Sequence, residues 1–230
     1  TPGGFGFTPE WRKVAGKQYI DVGIAEEHAI AMSSGIAKNG GKPVFNVYST
    51  FLQRTYDQLV QDLCVNNNSA VIMNHQASVY GMNDVTHLGF FDIPMLTSIP
   101  NLVYFAPTNN EELLAMTEYA VHQHEHPVAI RVPVGEFTST GVADTTDYSL
   151  LNKSEVTRRG ERIALLGLGN FYHLANQVAD ELAKVGINAT VVNPKFASGL
   201  DEELLEDLKV NHSVVFTLED GVVEGGWGQR

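Results

Sequence analysis

The chain has 230 residues, 43% of them hydrophobic and 18% charged, enough apolar material for the core of one large domain or two modest ones. Fifteen Lys and Arg against 27 Asp and Glu leave a formal net charge of −12, which argues against duplex nucleic acid and against an anionic membrane surface as partners. Cys64 is the only cysteine, so neither an intrachain disulfide nor a cysteine zinc cluster is available, and a reducing, cytoplasmic setting is expected.

No apolar run approaches the ~20 residues needed to span a bilayer. The opening Thr-Pro-Gly-Gly-Phe-Gly lacks the basic start and apolar stretch of a signal peptide. The chain begins without Met and stops at Gly225-Gly226-Trp227-Gly228-Gln229-Arg230, which reads as the middle of a motif, so a fragment of a longer protein is expected.

Short β-branched runs alternate with longer helical ones, the pattern of α/β folds with parallel sheets. Tyr19 to Val22 reads as a strand. Glu26 to Lys38 reads as a helix, with Ala25, Ala29, Met32 and Ile36 on one stripe. Pro43 to Tyr48 is a second strand, and Ser49-Thr50 offers helix-capping hydroxyls. Phe51 to about Cys64 is expected as a helix, striped by Leu52, Tyr56, Leu59, Val60 and Leu63. Ala70 to Met73 is a third strand. His75 to Phe91 has neither helical nor strand period, and a loop that long in a compact domain is usually functional. Leu102 to Phe105, Asn109 to about Val121 and Val128 to Val132 read as strand, helix and strand.

Residues 136–159 are polar and turn-rich, which suggests a linker. A second α/β unit begins at Arg162. Its helix carries Leu174, Val178, Leu182 and Val185, and strand 189–192, helix 204–208 and strand 213–218 follow. The unit then runs out short of an independent domain. The expected organisation is a first domain over 1–140, a linker over 141–160 and an incomplete second domain over 161–230.

Ligands of open α/β sheets bind beyond the carboxyl ends of strands. That rule selects Asp21 to Ala29, Tyr48 to Arg54, and the long loop with His75, Asn83, Asp84 and His87. If the three strands before these segments are neighbours, a carboxylate, an aromatic face and a histidine share one cleft. Each residue also has a simpler reading at this point. Glu26 suits a helix start, Phe51 suits an ordinary core, His87 suits a solvated loop, and His28 suits helix packing. The pairs Glu111-Glu112 and Glu202-Glu203 suit helix dipoles. Gly167-Leu168-Gly169-Asn170 hints at a phosphate turn but lacks the third glycine of a dinucleotide fingerprint. The eight histidines show no metal-binding spacing.

Asp21-Val-Gly-Ile-Ala-Glu-Glu-His-Ala, Tyr48-Ser-Thr-Phe-Leu-Gln-Arg-Thr-Tyr-Asp-Gln, Thr86-His87, Ile99-Pro-Asn and Asn193-Pro-Lys-Phe together resemble the 1-deoxy-D-xylulose-5-phosphate synthase family of the thiamine-diphosphate transketolase superfamily. The resemblance covers nearly the whole chain. It implies a pyrimidine-binding domain followed by part of the C-terminal domain, and a homodimer. Nothing here looks like the Gly-Asp-Gly…Asn motif that holds Mg²⁺ and the diphosphate, so those ligands are expected on a diphosphate-binding domain upstream or on a separate chain.

By the same resemblance, Glu26 is the carboxylate that hydrogen-bonds ring nitrogen N1′ of thiamine diphosphate and favours the tautomer whose 4′-imino group is basic. Phe51 matches the ring that stacks on the pyrimidine. Arg54 matches an arginine near the same pocket. Tyr48 and His87 match the substrate side, with His87 as proton shuttle or hydroxyl ligand. The implied activity is transfer of a two-carbon unit from pyruvate to glyceraldehyde-3-phosphate.

Two departures bear on the acceptor. Gln76 and Val134 stand where the family has the two arginines that grip the acceptor's phosphate, and arginine's bidentate fork suits a phosphate dianion. The loop's usual Asp-Gly-x-Thr-His-Gln is Asn83-Asp-Val-Thr-His87-Leu88 here. Cofactor activation is thus expected to be intact and acceptor recognition rebuilt. The rival readings are a transketolase-type enzyme or split subunit using a ketose donor, and a non-catalytic assembly module.

Overall fold

The computed structural model describes residues 2–79, 85–135 and 137–230. Its first sheet holds β1 (Val44–Tyr48), β2 (Val71–His75), β3 (Val103–Phe105) and β4 (Val128–Val132). All four run parallel, in the order β1-β2-β4-β3. The strands are short and rich in Val, Ile and aromatic residues because helices cover the sheet, and strands buried on both faces lose the polar alternation. The register sets Tyr48 beside His75 and His75 beside Val132, so these three residues end their strands in one row.

The second sheet holds β5 (Glu155–Arg158), β6 (Arg162–Gly167), β7 (Thr190–Asn193) and β8 (His212–Leu218), in the order β5-β7-β6-β8. Only β5 is antiparallel. It falls within the stretch expected as linker, where Tyr148 is also buried against Phe105 and Phe196. The mixed α/β class with a parallel first sheet is as expected.

Helices α2 (Glu26–Lys38), α6 (Asn110–His122), α7 (Phe171–Lys184) and α8 (Glu202–Asn211) flank the sheets, whereas α1 (Pro9–Ala15) buries none of its residues. α2 occupies the residues expected of it. α1 begins with Thr8 accepting from the Trp11 amide at 3.2 Å and with Pro9 in its first turn, both standard start signals. α5 (Asp92–Thr97) follows the long loop and had no expectation in the sequence.

Two expectations are corrected. Tyr19 to Val22 is not a strand. The Asp21 carboxylate accepts from the Gly23 amide at 2.9 Å, a local Asx turn that competes with sheet pairing, and Gly23 has φ +71. Tyr19 packs instead on Phe7 and Trp11. The helix expected from Phe51 to Cys64 is not continuous. It is split into α3 (Ser49–Leu52), a 3-10 turn over Gln53–Thr55, α4 (Tyr56–Gln58) and a π-helical turn over Leu59–Cys64. Thr55 Oγ1 donates to the Leu52 carbonyl at 2.8 Å, which tightens the turn. The apolar stripe survives, with Leu52, Leu59 and Leu63 fully buried.

The two sheets share one core, in which Ile72 and Tyr104 of the first join Ala164, Leu166 and Val192 of the second. Asn193-Pro194-Lys195-Phe196 ties them together. The Ala106 amide donates to the Lys195 carbonyl at 2.8 Å, and the Ala197 amide to the Tyr104 carbonyl at 2.7 Å. Lys195, itself buried, sits at φ +63 with its ammonium 3.3 Å from Glu112 and 2.9 Å from Glu155. Glu112 also accepts from the Thr108 amide and from Asn193. It therefore does more than complement the α6 dipole. The glycines of Gly167-Leu168-Gly169 serve close packing: a Cβ on Gly167 would meet Tyr172 Cα at 2.6 Å, and Gly169 lies against Ala106.

Candidate functional site

The carboxyl edge of the first sheet collects most of the expected residues. Tyr48 ends β1, and α3 begins at Ser49, so Phe51 and Arg54 leave the strand one helical turn apart. Glu26 is the first residue of α2, where the free amides of the helix start favour a carboxylate. Arg54 joins the two elements. Its Nη1 is 3.3 Å from Glu26 Oε2, and its Nε donates to Glu27 Oε1 at 2.9 Å.

The Glu26 contact has ion-pair distance without hydrogen-bond alignment. Oε2 is shielded from water and accepts no hydrogen bond. A buried carboxylate oxygen with an unused lone pair costs stability unless a ligand supplies a donor. Among the described residues Asn74 Oδ1 and Asn170 Oδ1 are orphaned too, but Glu26 Oε2 is the one carboxylate oxygen so left.

Phe51 is 37% exposed, which excludes the ordinary-core reading of its ring. The His87 imidazole meets it edge-on at 5.3 Å between centroids, and Tyr48 lies 6.2 Å away. His87 is exposed, and its Nδ1 is 2.9 Å from Thr86 Oγ1. The segment that carries it is pinned to the helix carrying Phe51. Ser49 Oγ donates to the Gly89 carbonyl at 2.8 Å, and Thr50 Oγ1 to the Thr86 carbonyl at 3.2 Å. Glu26 with Arg54, and Tyr48 with Phe51 and His87, thus form two contact groups joined through residues 48–54 at this rim. Asn83 and Asp84 lie outside the described residues. His28 is exposed on α2.

Beneath the rim, Phe5 sits 4.8 Å from Tyr48 and 4.7 Å from His75. His75 Nε2 donates to Asn46 Oδ1, 2.9 Å away, when the ring is neutral. Burial pulls the His75 pKa down from 6.5 to about 4. Between those values the unfolded chain binds a proton that the native chain refuses. Native stability is therefore full above about pH 6.5 and is lost as pH falls towards 4. The urea midpoint is expected to drop across this window, by on the order of 3 kcal/mol of stability. His75→Asn should flatten that drop, and an identical pH dependence in the variant contradicts the assignment.

Gln76, exposed at φ +55, and half-buried Val134 follow the carboxyl ends of β2 and β4. Neither supplies a cation. The nearby Arg131 is fully buried and committed elsewhere: its Nε donates to Asp92 Oδ2 at 2.7 Å and its Nη2 to the Asp220 carbonyl.

Asn46, Phe5 and Asp220 escaped the sequence reading. Asn46 and Asn74 did leave a signal, as polar residues inside otherwise apolar parallel strands. Phe5 and Asp220 left none, since only the tertiary fold brings them here. Among the described residues no cluster of His, Cys, Asp and Glu could hold a metal ion, and no helix is long and apolar enough to cross a membrane.

The transketolase pyrimidine-binding domain model matches residues 5–139, and the transketolase C-terminal domain model matches residues 152–230. The 1-deoxy-D-xylulose-5-phosphate synthase of Acaryochloris marina is 41% identical over 213 residues, covering 92% of this chain and 34% of the relative. That of Lachnoclostridium phytofermentans is 40% identical over 229 residues, covering 100% of this chain and 36% of the relative. The chain thus spans about a third of the length of these relatives. A solved structure described as a split gene transketolase, an inactive beta4 tetramer, superposes with a TM-score of 0.80 at 23% identity, covering 97% of this chain and 72% of that one.

Proposed function

From the premise that this chain belongs to the transketolase family, with its pyrimidine-binding and C-terminal domains, we propose that it forms the pyrimidine side of a thiamine-diphosphate site that transfers a two-carbon unit. The observation that carries this reading is the water-shielded Glu26 Oε2, which accepts no hydrogen bond and is met at 3.3 Å by Arg54 from the segment that also carries the exposed Phe51 ring. The residues present fit the cofactor: an acceptor aimed at a ring N–H, and a flat apolar partner for a heterocycle.

When bound, thiamine diphosphate supplies the electron sink for breaking and making bonds to a carbonyl carbon. Glu26 would accept a hydrogen bond from N1′–H of the pyrimidine and so favour the tautomer whose imino group is basic. Phe51 stacks against the pyrimidine and sets its depth. Arg54, paired with Glu27 at 2.9 Å as well as with Glu26, would keep a counter-charge if a ring nitrogen took its place at Glu26. Tyr48 and His87 face the substrate, with His87 moving a proton at a substrate oxygen. Mg²⁺ and the diphosphate belong on a diphosphate-binding domain, on the same polypeptide or another, and the working assembly is a homodimer.

The donor proposed is pyruvate, which the sequence resemblance implies and which the likeness to relatives named 1-deoxy-D-xylulose-5-phosphate synthase supports. The acceptor reading turns on Gln76 and Val134. With neither position cationic and Arg131 buried in its own ion pair, a phosphorylated aldehyde meets a weaker grip than paired arginines would give. A steady-state assay of the full-length enzyme with pyruvate and glyceraldehyde-3-phosphate tests both parts. Carbon dioxide release with a high KM for glyceraldehyde-3-phosphate is expected. Transfer from a ketose phosphate without carbon dioxide release would instead support the transketolase-type reading, and no turnover with either donor the non-catalytic one.

Phe51→Ala in the full-length enzyme should raise the thiamine-diphosphate Kd about tenfold, through the lost stack and the lost burial. Titration by tryptophan fluorescence checks it. An unchanged Kd removes Phe51 from the cofactor site.

A further inference from the structure

We propose that Asp220, in the C-terminal unit, is a positioning residue for the acceptor side of the site. It fixes the segment leaving the carboxyl end of β2. The proposal rests on the reading above for its kinetic consequence, but its structural part stands on contacts alone.

Asp220 is 1% exposed, and its carboxylate collects three donors. Oδ1 accepts from the Val79 amide at 2.6 Å. Oδ2 accepts from Ser78 Oγ at 2.6 Å and from Asn170 Nδ2 at 2.8 Å. Its main-chain carbonyl accepts from Arg131 at the back of the same sheet edge. Two of the three carboxylate bonds therefore go to residues 78 and 79, which lie more than 140 positions away in the chain.

Those residues sit at the end of a tight turn. Gln76 holds a left-handed φ of +55, the Ser78 amide donates to the Gln76 carbonyl at 3.0 Å, and the Ala77 amide donates to the Val132 carbonyl at 3.1 Å. A non-glycine residue in that region persists only when its surroundings over-determine it. β4 holds the turn from one side, through Val132, and Asp220 holds it from the other. The turn that carries Gln76 is therefore anchored, two and three positions downstream, by a residue of the C-terminal unit. A carboxylate suits the task because it is acceptor-only at both oxygens, whereas an asparagine would turn a donor toward one of these donors.

The second polar clip between the sheets, made by Glu112, Lys195 and Asn193, does not touch the end of β2. It supplies the control. In the full-length enzyme, Asp220→Asn and the milder Ser78→Ala are compared with Glu112→Gln. Amide hydrogen exchange over residues 77–79 and the KM values for pyruvate and glyceraldehyde-3-phosphate are measured for each. Asp220→Asn is expected to speed exchange at 77–79 and to raise the glyceraldehyde-3-phosphate KM about tenfold while leaving the pyruvate KM unchanged, the loss of about 1.4 kcal/mol of acceptor binding. Ser78→Ala moves both readouts in the same direction by less. Glu112→Gln lowers the Tm and moves neither.

Unchanged exchange at 77–79 in both the Asp220 and Ser78 variants overturns the proposal. So does an equal rise in KM with Glu112→Gln, which would mark a general loosening of the interface. If the wild-type enzyme turns over neither donor, the functional reading fails, and exchange alone then decides whether Asp220 holds the turn.

Discussion

Glu26→Gln in the complete enzyme should lower kcat about 10²–10⁴-fold, the range for removing a positioned acid–base group. The substitution keeps shape and volume but replaces an anion by a neutral amide. The amide can still touch the ring nitrogen, so cofactor affinity falls much less than kcat. Because Oε2 makes no hydrogen bond within the chain, its replacement should leave the Tm without cofactor nearly unchanged. Exchange of the C2 proton of bound thiamine diphosphate into deuterium oxide should slow by a similar factor, which gives a readout independent of either substrate. A variant with normal kcat and normal exchange places Glu26 outside the chemistry.

The largest effect on stability is expected at Arg131 and Asp92. Both side chains are buried, and the guanidinium bonds Asp92 with both Nε and Nη2, at 2.7 and 3.3 Å. Tyr104 donates its hydroxyl to the same carboxylate and accepts from Asn74 at 2.8 Å. Burial alone would lower the Arg131 pKa, yet Asp92 and Tyr104 outweigh it and raise the value above arginine's ordinary range. The guanidinium therefore stays charged at every accessible pH. Asp92→Asn leaves the buried guanidinium with only the Asp220 carboxylate, 4.0 Å from Nη1, as counter-charge and should destabilise by about 3–5 kcal/mol in urea unfolding. Replacing both residues, by Arg131→Met with Asp92→Leu, should recover much of that loss. A shift under about 1 kcal/mol for Asp92→Asn contradicts this account of the interface.

Much of the fold was legible because its signals are local. α2 and β4 stand where their apolar patterns put them, since a helical stripe and a short β-branched run each report burial directly. The segment at Tyr19 misled because β-branched residues beside an aromatic look like a strand, while the Asp21 turn that bends the backbone is a side-chain effect. The helix after Phe51 broke for the same reason, through the Thr55 hydroxyl. α5 was hidden by Pro94 and by the loop before it.

The rim residues Glu26, Phe51 and Arg54 were legible because they lie in two dense motifs. What the motifs could not convey is their contact, because the Arg54 bridge to Glu26 and Glu27 joins elements far apart in the chain. Asp220 was invisible for a related reason. It looks like one more acid in an acidic chain until the second sheet docks and brings it to Ser78.

A crystal structure of the complete enzyme with thiamine diphosphate tests the central claim most directly. The account predicts a Glu26 carboxylate oxygen within about 3 Å of N1′, hydrogen-bond distance, the pyrimidine lying against Phe51, and Arg54 retained by Glu27. A pyrimidine bound away from Phe51, with Glu26 still facing only Arg54, would contradict it.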